Sequence, residues 1–481
     1  MGERVAAMWL GHRRALAVFV LAAMGLAVIA GGALLRPSRD NHFVWMAQGW
    51  LHGELALPGN PPGYCEAQDR REGRCSGHRF DDWAVVTTLE LRDGETLRGF
   101  PCRAPVCTPP TRASEGWWII GRGFVELSRR DIVARQTTWY VSFPPGPAAV
   151  LLPAVALAGL DTPDVLLTLL LGALIPVVLL RLLDRERGTA DGRGREHLWI
   201  ACAWCFGSPA LLLASHGRVW FTGQIVGALA LVLYLDAAWR VRRPALAGLW
   251  LALAIACRPI NHLPALLVFA WFWWHGGRSR AALLRFAVPL LVVGLAVAWL
   301  NWARFEDPFE FGHRFLETRW QSRIQSVGLF DLEYLPRNLQ CLFTLMPVVA
   351  GTAPMVRVSI HGMALWASTP WLLLAPLARP PERVAVPLWL AALGSAVPSL
   401  LYQNSGQIQF SYRFAVDWLP LVLLAMASGG VASRRSFRVL TVLAVLVHGW
   451  GAWQFARAPG RLFVTEPVGW PFEAELQQPA P

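Results

Sequence analysis

The chain contains no lysine: every one of its 44 basic residues is an arginine, set against 32 acidic ones in 481 residues. Charge of either sign is scarce, at 16% of residues where a soluble domain carries about a quarter, and this excludes an ordinary water-soluble fold. Also missing are a glycine-rich nucleotide loop, a Walker pattern and an HExxH pair, so nucleotide-driven and zinc-protease chemistries have no motif to stand on. The net charge of +12 comes from arginines dispersed among short loops. They form no basic module interleaved with aromatics, which excludes a nucleic-acid partner.

Apolar length is abundant. Hydrophobic residues make up 54% of the chain and mean hydropathy is +0.38. Runs such as LLTLLLGALIPVVLL and ALLRFAVPLLVVGLAVAWL are long enough, as helices, to cross ~30 Å of hydrocarbon. Many of the 25 tryptophans fall at span ends (Trp45, Trp50, Trp239, Trp302, Trp320, Trp418), where an amphipathic ring suits the interface. These features predict an all-α polytopic membrane protein. The first span is longer than a signal core and no small-x-small cleavage site follows it, so it reads as retained.

Arginine distribution sets the expected orientation. His12, Arg13 and Arg14 precede the first span, and later clusters fall at Arg181–Arg195, Arg240–Arg243, Arg278–Arg285, Arg379–Arg383 and Arg434–Arg438. Placing all of them on the cytoplasmic side predicts about 11 spans, near 15–35, 164–183, 197–214, 219–239, 244–258, 262–275, 283–304, 360–379, 384–402, 412–430 and 436–455. Residues 146–160, short and interrupted by Pro147 and Pro153, read as a re-entrant or tilted helix. The expected organisation is a first span (1–35), a large extracytoplasmic loop (36–145), a transmembrane bundle (146–304), an outer-face loop with short helices (305–357), C-terminal spans (358–456) and a tail (457–481).

The first loop collects the chemistry. Cys65, Cys75, Cys102 and Cys107 lie on the side where disulfides form, with a zinc site as the rival reading; the pairing is open. Cys202 and Cys205 sit inside an apolar span and read as packing. TTLELRDGETLRGF at 87–100 is strand-like. Asp40 stands just past the first span, where a carboxylate can face the outer solution near the headgroups and take a proton from an acceptor hydroxyl. Asp81 and Asp82 offer a possible second carboxylate pair or metal ligands, although adjacent loop aspartates are commonly just solvated. Arg258 and Arg413, with Arg218 behind them, stand at predicted outer span ends. There they serve either as phosphate clamps or as snorkelling interfacial residues. Glu310 and His313, with Glu306 and Asp307, form the other polar group expected on the outer face.

The pattern Asp40, Phe43, Ala47, Gly49, Gly53, and after the loop Phe143-Pro144-Pro145, resembles the GT-C superfamily of membrane glycosyltransferases, which includes protein O-mannosyltransferases and lipid A aminoarabinose transferases. PALAGLWLALAIACRPINHLPAL at 244–266, NWARFEDPFEFGHRFL at 301–316 and SYRFAVDWLPLVLLAMA at 411–427 extend the likeness, in order, over most of the chain. The first loop is longer and richer in cysteine than the family minimum. The resemblance implies a GT-C-like bundle in a bacterial cytoplasmic membrane with its active site facing the periplasm. It implies transfer of a sugar from a polyprenyl-phosphate donor to a glycan, lipid or protein acceptor. Asp40 would be the base, Arg258, Arg413, His313, Glu310 and Arg218 the substrate-binding residues. No cofactor is required; a divalent metal is possible but unsupported by any motif. Two other classes stand beside it. A transporter or flippase of lipid-linked glycan intermediates would show inverted repeats and charged, broken spans. A non-catalytic scaffold would use the first loop as a binding domain.

Overall fold

The computed structural model describes residues 2–62, 83–102, 113–316, 321–464 and 468–472, the side chains of 2–10 and 322 excepted. The chain divides into two compact units. One comprises residues 1–41, 161–293 and 332–481; the other comprises 42–160 and 294–331.

The first unit is the helical body. Its opening helix, Gly2–Ala30, runs antiparallel to helix Asp164–Arg187, and each end of the pair is tied by polar contacts. At one end the Arg14 guanidinium reaches Asp184 (3.2 Å) and the Gly194 carbonyl (2.7 Å). At the other, Ser38 reaches Asp164. Asp164 and Asp184 are 20 residues apart on one helix, about 30 Å at 1.5 Å per residue, the thickness of a hydrocarbon core. Arg14 and the Arg181–Arg195 cluster therefore share one end.

Among the described residues, six helices are long and apolar enough to cross a membrane: Gly11–Ala33, Asp164–Arg187, Val219–Val241, Arg280–Phe305, Glu382–Leu401 and Arg435–Arg457. They coincide with six of the expected spans. The other five expected spans are shorter or broken. Residues 197–214 divide into Arg193–Cys205 and Ala210–Ala214 around Ser208-Pro209. Residues 244–258 form the 14-residue helix Pro244–Cys257, and the 262–275 segment ends in the 10-residue helix Leu266–His275. Residues 360–379 hold only Leu365–Ser368 and a 3₁₀ stretch, Pro370–Leu377. Residues 412–430 begin as a 3₁₀ turn, Arg413–Asp417, before helix Leu419–Ser428. A proline lies at or near each break, where its missing N–H costs a helix hydrogen bond, although Pro176, Pro289, Pro387 and Pro398 are accommodated inside continuous helices. The helix Gly146–Ala158, with Pro153 inside, is short, as its composition predicts.

The second unit corrects the all-α expectation. It holds a five-stranded antiparallel sheet of order β4-β3-β2-β1-β5, with β1 Trp83–Leu91, β2 Thr96–Pro101, β3 Ser114–Ile119, β4 Gly123–Ser128 and β5 Ile132–Val141. The strand-like 87–100 stretch is its β1–β2 hairpin, in register Thr87 opposite Gly99. The hairpin turns at Asp93-Gly94, where Gly94 has φ +91°, a conformation that favours glycine. Leu89, Leu97, Trp117 and Ile119 form the sheet's own small core. Arg98 anchors the sheet to the rest of its unit through the Arg304 carbonyl (3.0 Å), and Arg304 itself donates to the Val141 carbonyl (2.8 Å).

In the same unit, helix His42–Leu51 packs against Gly146–Ala158. Phe43 and Ala47 are buried in it, and Phe43 meets Phe143 edge to face at 5.8 Å. Gly53 takes φ +74° and ends the helix, with its N–H on Trp50 and the Glu54 N–H on Gly49, as C-terminal caps require. These members of the spaced pattern thus each have a packing or capping task.

In the body, helix Pro244–Cys257 passes so close to helix Arg280–Phe305 that a Cβ added at Gly248 would lie 2.0 Å from the Phe286 carbonyl oxygen. Backbone cannot yield as a side chain does, so Gly248→Ala is expected to cost about 1–3 kcal/mol, seen as a lowered Tm in detergent. Gly294→Ala, with nothing within 4 Å of its added Cβ, is expected to leave the Tm unchanged or slightly raised.

Candidate functional site

Asp40 follows the first helix in a short non-helical stretch that the fold holds at two points. The Asp40 carbonyl accepts the N–H of Val219 (2.9 Å), the first residue of helix Val219–Ala238. Two residues earlier, Ser38 donates its backbone N–H and its hydroxyl to the two oxygens of Asp164, each at 2.6 Å. Gly217, with φ +62°, passes so close to Val165 that a Cβ would sit 2.6 Å from backbone, and its carbonyl lies 3.1 Å from Ser38 Oγ. Asp40 is thereby set at the positive end of a 20-residue helix.

Its carboxylate lies 3.6 Å from Arg218 Nε, both side chains being partly exposed, 22% and 33%. Arg218 is the weakest of the three arginine candidates on sequence alone, yet it is the one brought against Asp40. Its guanidinium also lies over the Phe455 ring at 5.8 Å.

Arg413 and Arg258 follow along the same helix. Arg413 is buried; it donates to Gln224 Oε1 (2.8 Å) and to the Gly406 carbonyl (2.9 Å), and lies over the rings of Phe221 and Phe414. Arg258 also lies over Phe414, at 5.3 Å, and its Cγ approaches Gly227. Gly227 is nine residues beyond Arg218, ~14 Å along the axis, so Arg258, which caps helix Pro244–Cys257 and is 25% exposed, lies farther along this helix than Arg218. Nε and Nη2 both donate to Asp417 Oδ2, at 3.2 and 2.9 Å, and Asp417 is fully buried. His262 Nε2 is 3.9 Å from the other Asp417 oxygen.

Two of these residues escape a reading of the sequence. Asp417 sits in FAVDWLP, which looks like the start of an apolar span, and Asp164 in DTPD, which looks like a turn. A charged residue inside an apolar run is itself the usable signal for Asp417. Nothing local marks Asp164, whose partner Ser38 is 126 residues earlier.

Glu310 and His313 belong to the second unit. Glu310 is buried, accepts the Gly312 N–H at 2.6 Å and pairs with Arg314 at 3.3 Å. Burial pushes its carboxyl above the usual range, against those two contacts. The His313 ring meets Phe143 edge to face at 5.6 Å. Cys102 is disulfide-bonded; Cys65, Cys75, Cys107, Asp81 and Asp82 lie outside the described residues. Cys202, Cys205, Cys257 and Cys341 are not in disulfides. Among the described residues, no three His, Cys, Asp or Glu side chains gather as metal ligands would.

His216 stands two residues before Arg218. Its Nδ1 is 2.9 Å from the Leu212 carbonyl, and its ring meets the edges of Phe221 and Phe455. Burial pushes its pKa down to about 4, helped by Arg218 and Arg457 and opposed by the Leu212 bond. The folded-state value lies below the unfolded one, near 6.5, so this histidine's contribution is complete above that pH. It is lost as pH falls through about 4. The Tm of the wild type is expected to fall more steeply between pH 6.5 and 4 than that of His216→Gln; equal slopes would refute this.

No family model, no curated protein and no solved structure matches this chain.

Proposed function

We propose that the chain is a membrane glycosyltransferase of GT-C type, moving a sugar from a polyprenyl-phosphate carrier to a glycan, lipid or protein acceptor on the outer face of a bacterial cytoplasmic membrane. The supporting observation is the Asp40–Arg218 pair at the opening of helix Val219–Ala238. A phosphate leaving group needs a cation, and the attacking hydroxyl needs a base; one loop and one helix start supply both.

The burial of the carboxylate partner, fully buried Asp417 against partly exposed Asp40, decides which arginine can serve. A partly exposed pair at 3.6 Å is worth about 0–1 kcal/mol, so a phosphate can take Arg218 from Asp40 at little cost. Losing that partner leaves the Asp40 carboxylate free to accept the hydroxyl proton. Separating Arg258 from the fully buried Asp417 costs about 3–5 kcal/mol. In this reading Arg258 and Arg413 shape the wall behind the phosphate, and Arg218 touches it.

One observation favours the transporter alternative. Asp417 is a buried charge at a break between a 3₁₀ turn and a helix, the kind of discontinuity transporters use for ions and substrates.

With synthetic polyprenyl-phosphoryl sugars in proteoliposomes, Asp40→Asn is expected to lower transfer by ~10²–10⁴-fold with folding intact. Arg218→Ala is expected to raise the donor KM, and Arg218→Lys to restore it only in part, since the ammonium lacks the planar fork. In a deletion strain, the unused polyprenyl-phosphate sugar should accumulate in lipid extracts. Near-normal transfer by Asp40→Asn would remove Asp40 as the base, and counterflow of intact carrier without any transfer by the wild type would replace this reading with the transporter.

A further inference from the structure

We infer that Asp164 is a positioning residue for Asp40, acting through Ser38; the inference rests on the transferase reading of Asp40. An aspartate opening a helix ordinarily serves that helix's own N–H groups. Asp164 is buried at 2% exposure, and beside the N–H groups of its own first turn its two oxygens receive hydrogens from Ser38, one from the backbone and one from the hydroxyl. Two short charge-assisted bonds from one carboxylate to one residue fix both the position and the rotation of the Ser38 peptide. Only Arg39 separates that anchor from Asp40, whose carbonyl the Val219 N–H holds in turn. With both ends fixed, the Asp40 carboxylate keeps only its side-chain torsions as freedom, and the backbone sets the point from which it reaches Arg218.

The surroundings are built to the same end. Gly217 admits no Cβ against Val165, and this closeness sets its carbonyl 3.1 Å from Ser38 Oγ. Helices Asp164–Arg187 and Val219–Ala238 pack directly, with Thr168 and Thr222 hydroxyls 2.7 Å apart. The anchor on one helix and the arginine on the other therefore hold a fixed separation. A misplacement of ~1 Å at a reacting group costs as much as ~10²-fold in rate, so loosening this anchor falls on kcat and spares donor binding.

The test uses the full chain in proteoliposomes. Asp164→Asn keeps one acceptor, Ser38→Ala removes the hydroxyl arm alone, and Asp164→Ala removes both arms. Transfer kcat is expected to fall ~10-fold in the first two and toward ~10²-fold in the third, with donor KM within about twofold of wild type. Ser38→Ala combined with Asp164→Asn is expected to be little worse than Asp164→Asn, because the pair acts as a unit. Amide exchange in a peptide covering 36–41 is expected to quicken in each variant while peptides from Glu382–Leu401 stay unchanged. Unchanged kcat in both Asp164→Asn and Ser38→Ala overturns the inference, as does unchanged exchange at 36–41. If Asp164→Ala does not fold, the two milder variants decide. Should the wild type transfer nothing, the transferase reading fails separately, and the exchange measurement alone decides whether the anchor exists.

Discussion

One constraint runs through the helical body: a polar group buried among apolar side chains is costly unless another part of the chain answers it. The breaks in the expected spans show the constraint at work. Where the chain interrupts at Ser208-Pro209, the Trp371 indole donates to the Gly207 carbonyl (2.8 Å) from 164 residues away. Where helix Glu382–Leu401 ends, Asn338 donates to the carbonyls of Leu400 and Tyr402, and Arg337 to that of Gln403 (2.9 Å). Arg413 finds Gln224 and Gly406; Arg258 finds Asp417. A body free to solvate these groups would not need to bring 224, 258, 413 and 417 into one neighbourhood.

That constraint also separates two kinds of arginine. Those answered wholly inside are committed, because removing a partner strands a charge. Arg218 is answered by a carboxylate that water also reaches, and such a bond exchanges easily. The line of guanidiniums over Phe455, Phe221 and Phe414 is therefore graded, labile at the Asp40 end and fixed at the Asp417 end.

What could be read from the sequence follows the same physics. Unbroken apolar runs became helices, as at Asp164–Arg187 and Arg435–Arg457, because local hydropathy and length suffice there. The β1–β2 hairpin was visible through alternation and its Asp-Gly turn. The rest of the sheet was hidden: β5 pairs with β1 from Trp83–Val141 to Leu91–Ile132, and its exposed middle shows no apolar alternation. Expected spans that break, such as 197–214 and 360–379, looked continuous because hydropathy averaging passes over a single proline. Asp40 was legible as a span-end carboxylate; its partner was under-weighted, since nothing in SHGRVW says that its helix will open against residue 40. Asp417 and Asp164 were missed because their meaning lies in contacts 159 and 126 residues away.

The two missed aspartates do opposite work with the same side chain. Asp417 meets a full charge, and the pair's attraction in a dry interior holds a break in the chain together, at the cost of fixing Arg258. Asp164 meets no cation among its hydrogen-bond partners; it meets backbone N–H groups and a hydroxyl. A carboxylate bonded by neutral donors adds direction without cancelling its charge, so it orients a neighbour and leaves nearby cations unclaimed. In the proposed transferase site, which would need Arg218 available and Asp40 held still, the second arrangement suits the mouth of the helix. An arginine in Asp164's place would compete for Asp40, and an apolar residue would leave the Ser38 peptide to find its own orientation. On that proposal, the acid there matters for the cations it leaves unpaired as much as for the groups it binds.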